Sequence, residues 1–547
     1  MHTGAQVAEK AYEQGADTNP SITFVPLLNK RNRGILVFLI TVWFISLVLF
    51  LDFWIQKSNI ISGWRYLVNS LVLVYTFIMP GYLYFFLLKM KKVNYQGEIP
   101  KSWRVAMVVT KAPSEPFRVV KKTLEAMLKQ KFPHDTWLAD EDPTPEVRNW
   151  CKKHGVYIST RKNVPEYHQA QWPRRTKCKE GNLAYFYDMY GYQSYDFVAQ
   201  LDADHIPGRN YLEEMLKPFL LDDVGYVSAP SICNSNEKTS WAARGRLYAE
   251  GIMHGPLQAG YTYNYAPLCI GSHYAVRTRA LREIGGLGPE LAEDHSTTLL
   301  FNSAGWKGVH AIDAIASGEG PQTLQDMLIQ EYQWSRSLTI LLFTLLPKHW
   351  SRLTPKMRIQ FLFSELWYPV YGFTMLLGYL LPVVSIFSNS PWVNVSFLEF
   401  LSYSIPLACS LLAITYFLKL NNLMRPINCP IFSWEMALFN FVRWPWALYG
   451  VIVGAITGIA GINPDFLVTK KGEKVGDSLS PNTLLVLASI MLMSFLPYFH
   501  YSTSSSVYGY FFFLIMNLCI FSLVIISVIL LHRKEAIKYN KLVDEEL

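Results

Sequence analysis

The chain has 547 residues, of which 51% are apolar and 17% charged, with a formal net charge of +8. That is too apolar for an ordinary soluble enzyme and too charged for a bare membrane bundle, so a soluble unit joined to spanning helices is expected. The seven cysteines, Cys151, Cys178, Cys233, Cys269, Cys409, Cys429 and Cys519, form no CxxC pair, which argues against a disulfide framework or a structural zinc site.

Residues 1–34 are polar, show no cleavable signal peptide and begin with a disorder-like composition. Two apolar segments follow, 35–55 and 66–88, each long enough to cross ~30 Å of hydrocarbon as a helix. Lys30, Arg31 and Arg33 precede the pair, and Lys89, Lys91 and Lys92 follow it, so both flanks are expected in the cytoplasm. Residues 93–323 hold no comparable segment. Strand-like runs (RVAMVVT at 104–110, TWLAD at 136–140, GVYIST at 155–160, YDFVAQLDAD at 195–204, GYVSAP at 225–230) alternate with helical patterns near 116–130, 144–153 and 179–190. That alternation predicts a parallel α/β sheet with its site at the carboxyl ends of the strands.

Past residue 324 the composition turns apolar again. Interfacial helices are expected over 324–365, and spans at 366–387, 401–420, 483–499 and 508–531. Segment 433–462 carries Glu435, Arg443 and Pro445 and is expected to lie at the inner face. Six crossings then keep the Lys-rich loop near 463–480 and the basic tail 532–547 in the cytoplasm, with the catalytic unit 93–323 on the same side. No large domain is expected after the last span. The basic residues sit mainly at membrane flanks, so no nucleic-acid partner is expected.

The stretch VAQLDADHIPGRN (198–210) ends an apolar run with two carboxylates. Strand alternation puts Asp202 and Asp204 on one face, where they repel unless a cation compensates them. A divalent metal holding a diphosphate is one solution, and hard oxygens suit Mg²⁺ or Mn²⁺. The other reading is a helix cap beside a solvated side chain. Two more acidic clusters favour the first: Asp140, Glu141 and Asp142 in TWLADEDP, and Glu293 and Asp294 in ELAEDHSTT. Lys179, in KEGNLAYF, opens a helix where phosphate can meet a cation and backbone amides.

This ordered set resembles the processive family 2 glycosyltransferases of membranes, such as the cellulose, curdlan, hyaluronan and chitin synthases. Their strand-end aspartate, K-x-G-N, DxD, [T]ED and QxxRW motifs are matched by Asp140; Lys179, Gly181 and Asn182; Asp202 and Asp204; Glu293 and Asp294; and Gln330 to Trp334. FLVTKK (466–471) resembles the F-x-V-T-x-K gating loop of cellulose synthases. The resemblance implies a GT-A-type, Rossmann-like domain inserted between membrane helices, at the plasma (inner) membrane. It implies a UDP-sugar donor, a growing polysaccharide acceptor, contact with membrane lipid and an extracytoplasmic partner that receives the polymer. Asp140 would hold uracil or ribose, and Asp202 the nucleotide end. Asp204, with Asp202, would ligate Mg²⁺ or Mn²⁺. Glu293 and Asp294 would form the catalytic pair, with Asp294 as general base. Trp334 would stack on acceptor sugar, and Phe466, Thr469 and Lys471 would close over the nucleotide. Trp367, Tyr368 and Tyr371 are candidate channel aromatics.

The chain departs from the pattern at three positions. Gln333 stands where the diphosphate-binding arginine is usual, and Arg336 is the nearest replacement in sequence. Ala292 replaces Thr before Glu293. His273 replaces Asn in APLCIGSHYAVR (266–277), where it would either contact acceptor sugar or pack. A processive synthase making β-glucan from UDP-glucose is the expected function. Transfer of one sugar to a lipid carrier is the alternative.

Overall fold

A computed structural model describes residues 22–289, 292–462, 479–499 and 507–546. The chain opens with β1 (Thr23–Pro26) and two apolar helices, α1 (Lys30–Trp54) and α2 (Gly63–Leu87). It returns as β2 (Lys91–Asn94), which pairs antiparallel with β1.

The α/β domain then runs β3 (Val105–Lys111), α3 (Phe117–Met127), β4 (Asp135–Asp140), α4 (Pro145–His154), β5 (Tyr157–Ser159), α5 (Lys179–Phe186) and β6 (Phe197–Leu201). It continues with β7 (Ile206–Pro207), α6 (Tyr211–Leu216), β8 (Val224–Ser228), β9 (Ser231–Ile232), α7 (Trp241–Ala249), β10 (His273–Arg277), α8 (Thr278–Glu283), α9 (Glu293–Ser303), β11 (Lys307–His310) and β12 (Ala316–Ser317). Seven strands form one sheet in the order β11-β8-β10-β6-β3-β4-β5. Strand β3 alternates between two cores. Val105, Met107 and Val109 pack with Val120, Leu124 and Met127 of α3, while Ala106 and Val108 pack with Leu183 and Phe186 of α5. Helices cover both faces, which is why the strands read as unbroken apolar runs.

The sheet is mixed, not purely parallel as expected. Strand β10 runs antiparallel between β6 and β8, while the other pairings in this sheet are parallel. The sequence reading assigned no strand to His273–Arg277, so β10 lies outside the strand–helix alternation on which the expectation rested.

The C-terminal part comprises α10 (Leu324–Phe343), α11 (Pro355–Phe387), α12 (Phe397–Leu420), α13 (Trp434–Ala460), α14 (Pro481–Phe495) and α15 (Tyr508–Glu546). Helix α10 starts at a capping box in which Thr323 and Asp326 bond each other's backbone N–H, so its start is set locally. Helix α1 packs Leu36, Trp43, Leu47 and Phe50 against Leu407, Ile414 and Phe417 of α12. Its opposite face exposes Phe38, Phe44 and Leu49, as a lipid-facing helix does.

Among the described residues seven helices are long and apolar enough to cross a membrane, against six crossings expected. The additional one is α13. Its polar residues are paired within the protein: Glu435 with Arg244 of α7 at 2.9 Å, and Arg443 with Glu331 of α10 at 3.1 Å. Gly450, Gly454 and Gly458 form a stripe at four-residue spacing along which α13 lies on α10. A Cβ on Gly454 would sit 2.6 Å from the Arg336 carbonyl oxygen and 2.9 Å from Thr339 Cβ. Gly454→Val is therefore expected to force α13 from α10 and destabilise the detergent-solubilised protein by about 1–3 kcal/mol. Thermal unfolding reads this directly, and an unchanged midpoint would contradict the close packing.

Candidate active site

The carboxyl edge of the sheet collects the acidic motifs. Lys111 and Asp140 end β3 and β4 in register, and Asp202 follows the last residue of β6. The Asp202 N–H donates to the Ser272 carbonyl at 2.8 Å, joining the Asp-Ala-Asp turn to the start of β10. Lys179, the first residue of α5, donates to Asp202 Oδ1 at 2.5 Å and to the Gly271 carbonyl at 2.6 Å. The Gly271 N–H donates to Asp294 Oδ2, also at 2.6 Å. The antiparallel strand thus brings the Asp202 side and the Asp294 side together through one residue.

The K-x-G-N residues each have a mechanical role. Asn182 donates to the Ala139 carbonyl on β4 at 2.8 Å, anchoring α5 to the sheet. A Cβ on Gly181 would lie 2.2 Å from Arg161 Nη1, so only glycine lets that buried guanidinium pass. Arg161 in turn pairs with Glu141 at 2.6 Å, and Asp142 pairs with Lys162 at the surface. Asp140 is fully buried. Its Oδ1 accepts from Lys111 Nζ at 3.3 Å and from the Asp142 N–H at 3.0 Å, while Oδ2 is buried without a partner.

Glu293 and Asp294 open α9, where the helix dipole favours negative charge. Burial is nevertheless the strongest influence on both. It pushes the Glu293 carboxyl up to about 8, against the opposing pull of Lys179 and with Asp294 adding repulsion. Tyr274 donates its hydroxyl to Glu293 Oε2 at 2.8 Å, and Oε1 is buried without a partner. Burial also raises Asp294, but the backbone N–H groups of His295 and Gly271 bond its two oxygens and hold it down. Burial thus raises both adjacent carboxyls, Glu293 to about 8, and the amide donors offset part of the rise at Asp294. Burial works to discharge Lys179, yet Asp202, Glu293 and Asp294 keep it more basic than usual.

Glu293 binds its proton more tightly in the folded chain than in the unfolded one. The stability it contributes is complete below its ordinary value of 4.5 and is lost as pH rises toward about 8. Glu293→Gln should remove that loss, so its thermal midpoint should rise relative to the wild type across this window. Parallel pH profiles for the two proteins would rule the assignment out.

Asp202, Asp204 and His205 each offer a ligand atom, all within 4.8 Å of one another. Two carboxylates and an imidazole suit a divalent cation such as Mg²⁺ or Mn²⁺, so these residues fit the expected metal. Asp204 Oδ2 accepts from the Glu319 N–H at 3.1 Å, and Oδ1 lies 3.3 Å from His205 Nδ1. Burial alone would discharge His205, but Asp204 beside it lifts the ring to about 10, a proton that metal binding would displace. Sequence reasoning placed Asp202 and Asp204 here and missed His205, although it directly follows them in DADH.

At Trp334 stands a cation that the sequence reading did not name. Arg246, from α7, lies 4.1 Å over the Trp334 ring and donates to Gln330 Oε1 at 3.0 Å. Glu250 pairs with Arg246 at 3.2 Å; burial opposes the Glu250 charge, but Arg246 and His254 hold its carboxyl down at about 2. Arg336 is instead buried with its guanidinium 5.1 Å from the Tyr332 ring, and Gln333 is buried in the same helix. Arg246 escaped the sequence reading because it is remote from the motif along the chain. His273 is fully buried, with its ring 5.3 Å from that of His205 and 5.6 Å from that of Tyr211. It packs behind the Asp204–His205 pair, where acceptor sugar has no surface to touch. Phe466, Thr469 and Lys471 lie outside the described residues. Trp334 packs beside a cluster that includes Tyr368, Tyr371, Tyr379 and Trp444, while Trp367 is partly exposed and lies against Tyr75 at 5.8 Å.

The family model described as "Glycosyl transferase family group 2" matches residues 197–456, from β6 into α13. That match covers just under half of the chain. The matched range includes Asp202, Asp204, Glu293, Asp294 and the Gln330–Trp334 segment. Among its relatives, the cellulose synthase catalytic subunit [UDP-forming] of Pseudomonas fluorescens (strain SBW25) is 26% identical over 247 residues, which is 44% of this chain and 32% of that one. The protein of the same name from Xanthomonas axonopodis pv. citri (strain 306) is 27% identical over 245 residues, 43% of this chain and 32% of its own. The chain thus spans about a third of the length of these relatives. Among solved structures, the mannosyltransferase PcManGT from Pyrobaculum calidifontis in complex with GDP-Man and Mn²⁺ is 13% identical, with 72% of this chain and 99% of that one covered and a TM-score of 0.43. The mixed sheet carries an Asp-Ala-Asp loop at its edge, and helices long and apolar enough to cross a membrane flank it.

Proposed function

We propose that this chain is a processive, inverting glycosyltransferase that polymerises sugar from a UDP-sugar and extrudes the product through its membrane helices. The observation that carries this reading is the Gly271 bridge, with Lys179 and Asp202 on its carbonyl side and Asp294 on its N–H side. It joins a diphosphate-binding group to a candidate base across one short gap. Asp294 takes the proton of the acceptor hydroxyl as that oxygen attacks the anomeric carbon. One C–O bond forms, the bond to UDP breaks, and the configuration inverts. Mg²⁺ or Mn²⁺ held by Asp202, Asp204 and His205 would supply positive charge for the departing diphosphate. Lys179 adds a fixed cation on the same side. Glu293 keeps the first turn of α9 seated through Tyr274.

Trp334, clamped by Arg246 and Gln330, is the acceptor platform in this reading. The buried aromatic cluster packed beside it, from α11, α13 and α15, is where the polymer would pass in this reading, with Tyr371 and Tyr379 lining its way. Asp140 would help shape the nucleoside pocket from below, and Phe466, Thr469 and Lys471 would close over it. The domain divisions, six crossings with α13 along the inner face, a cytoplasmic catalytic domain at the plasma membrane and a polymer-receiving partner outside belong to the same proposal. The "UDP-forming" relatives support UDP-glucose and a β-glucan.

Inverted membrane vesicles given Mg²⁺ or Mn²⁺ and a panel of radiolabelled UDP-sugars test this. High-molecular-weight product from one donor supports the synthase. Short, lipid-extractable product would replace it with single transfer to a lipid carrier.

A further inference from the structure

Where β1 pairs with β2, the N-terminal segment folds against the ends of α1 and α2 and leaves a cavity of about 270 Å³. Its wall is cationic. Arg33 from the first turn of α1, Lys89 just beyond α2 and Lys91 in β2 line it, beside Phe24, Gly260 and Asn264. Rings, not carboxylates, accompany these cations. Lys91 Nζ lies 4.5 Å from the Phe24 ring centre and 5.5 Å from that of Tyr263, and Lys89 Nζ lies 4.5 Å from Phe85. Lys356, at the start of α11, adds another ammonium 5.3 Å over Tyr265.

Nearby acids are already engaged. Asp313 is held by Lys92 at 2.7 Å and Arg425 at 3.3 Å, and Asp223 accepts the Tyr263 hydroxyl at 2.9 Å. Among the described residues, no carboxylate pairs with Arg33, Lys89, Lys91 or Lys356. Aromatic faces compensate such charges only in part. Burial, with Lys356 and Lys89 close by, makes the Lys91 ammonium easier to discharge than usual. An anion in the cavity would relieve that crowding.

The position selects the anion. The cavity lies where α1 begins and α2 ends, the level at which apolar helices meet lipid headgroups. We propose that this cavity binds the phosphate headgroup of an anionic phospholipid, held by Arg33, Lys89 and Lys91. Bound lipid would pin the β1–β2 pair to the membrane surface and so fix the seat of the α/β domain against α1 and α2.

The test is native mass spectrometry of the full chain released from nanodiscs containing phosphatidylcholine and phosphatidylglycerol. The wild type is expected to retain phosphatidylglycerol preferentially. Each cation neutralised should weaken retention about fivefold, so Arg33→Gln, Lys89→Gln and Lys91→Gln together should abolish the preference. Lys89→Arg with Lys91→Arg should keep it, and Lys101→Gln, at an exposed site away from the cavity, should leave it unchanged. Should the triple variant lose its fold by circular dichroism, Lys91→Gln alone carries the same reading at about fivefold. Unchanged preference in the neutralised variants overturns the site. Equal displacement of the lipid by inorganic phosphate overturns its assignment to lipid.

Discussion

Asp294→Asn is expected to lower sugar transfer by about 10²–10⁴-fold, the range a positioned general base contributes. The amide keeps the shape and one oxygen to accept the Gly271 N–H, so the loop between Lys179 and α9 should hold its form. UDP binding, measured calorimetrically, should therefore stay within a few-fold of wild type while UDP release under turnover collapses. A variant that turned over at more than about a tenth of the wild-type rate would remove Asp294 from the base role. The wild-type pH profile adds a second reading. Burial raises the Asp294 carboxyl, so transfer should fail on acidification at a higher pH than an exposed aspartate would dictate, and recover as pH rises.

Asp204→Asn is expected to lower transfer by roughly a thousandfold, because metal stabilisation of developing charge amounts to several kcal/mol. The rate that remains should no longer respond to added Mn²⁺ or Mg²⁺, whereas chelation should bring the wild type down to the same level. The asparagine retains an oxygen for the Glu319 N–H but loses the ion pair with His205, so the thermal midpoint should fall at neutral pH. His205→Ala should weaken metal dependence in the same direction, a result that two aspartates alone would not require. Full metal response in Asp204→Asn would place the cation elsewhere.

Much of this site was legible before the fold was known. Asp202 and Asp204 could be found because they follow a strand end that the local apolar pattern marks, while Glu293 and Asp294 were legible as an acidic cluster in the motif order, with no helix expected at 293. The K-x-G-N segment was legible from local pattern too, since Lys179 opens the helix it was expected to open. His205 had a signal in DADH that was not used. Arg246 had none, because a guanidinium finds an indole through the packing of α7 on α10 rather than through spacing along one helix. Arg336, two residues beyond Trp334, lies on α10 with its guanidinium 5.1 Å from the Tyr332 ring.

The amino-acid sequence by itself determined the alternation of strands and helices, the apolar flanks and the residue types at the carboxyl edge. These depend on periods of two and of 3.6 residues and on caps, all contained in short windows. Only the tertiary structure decided that β10 runs antiparallel through the sheet, and hence that Gly271 links Lys179 to Asp294. It also decided that burial raises both carboxyls of the Glu293–Asp294 pair and which aspartate is sealed beneath the edge. Burial, amide donors and neighbouring charges set those outcomes, and they come from segments that meet only when the chain has folded.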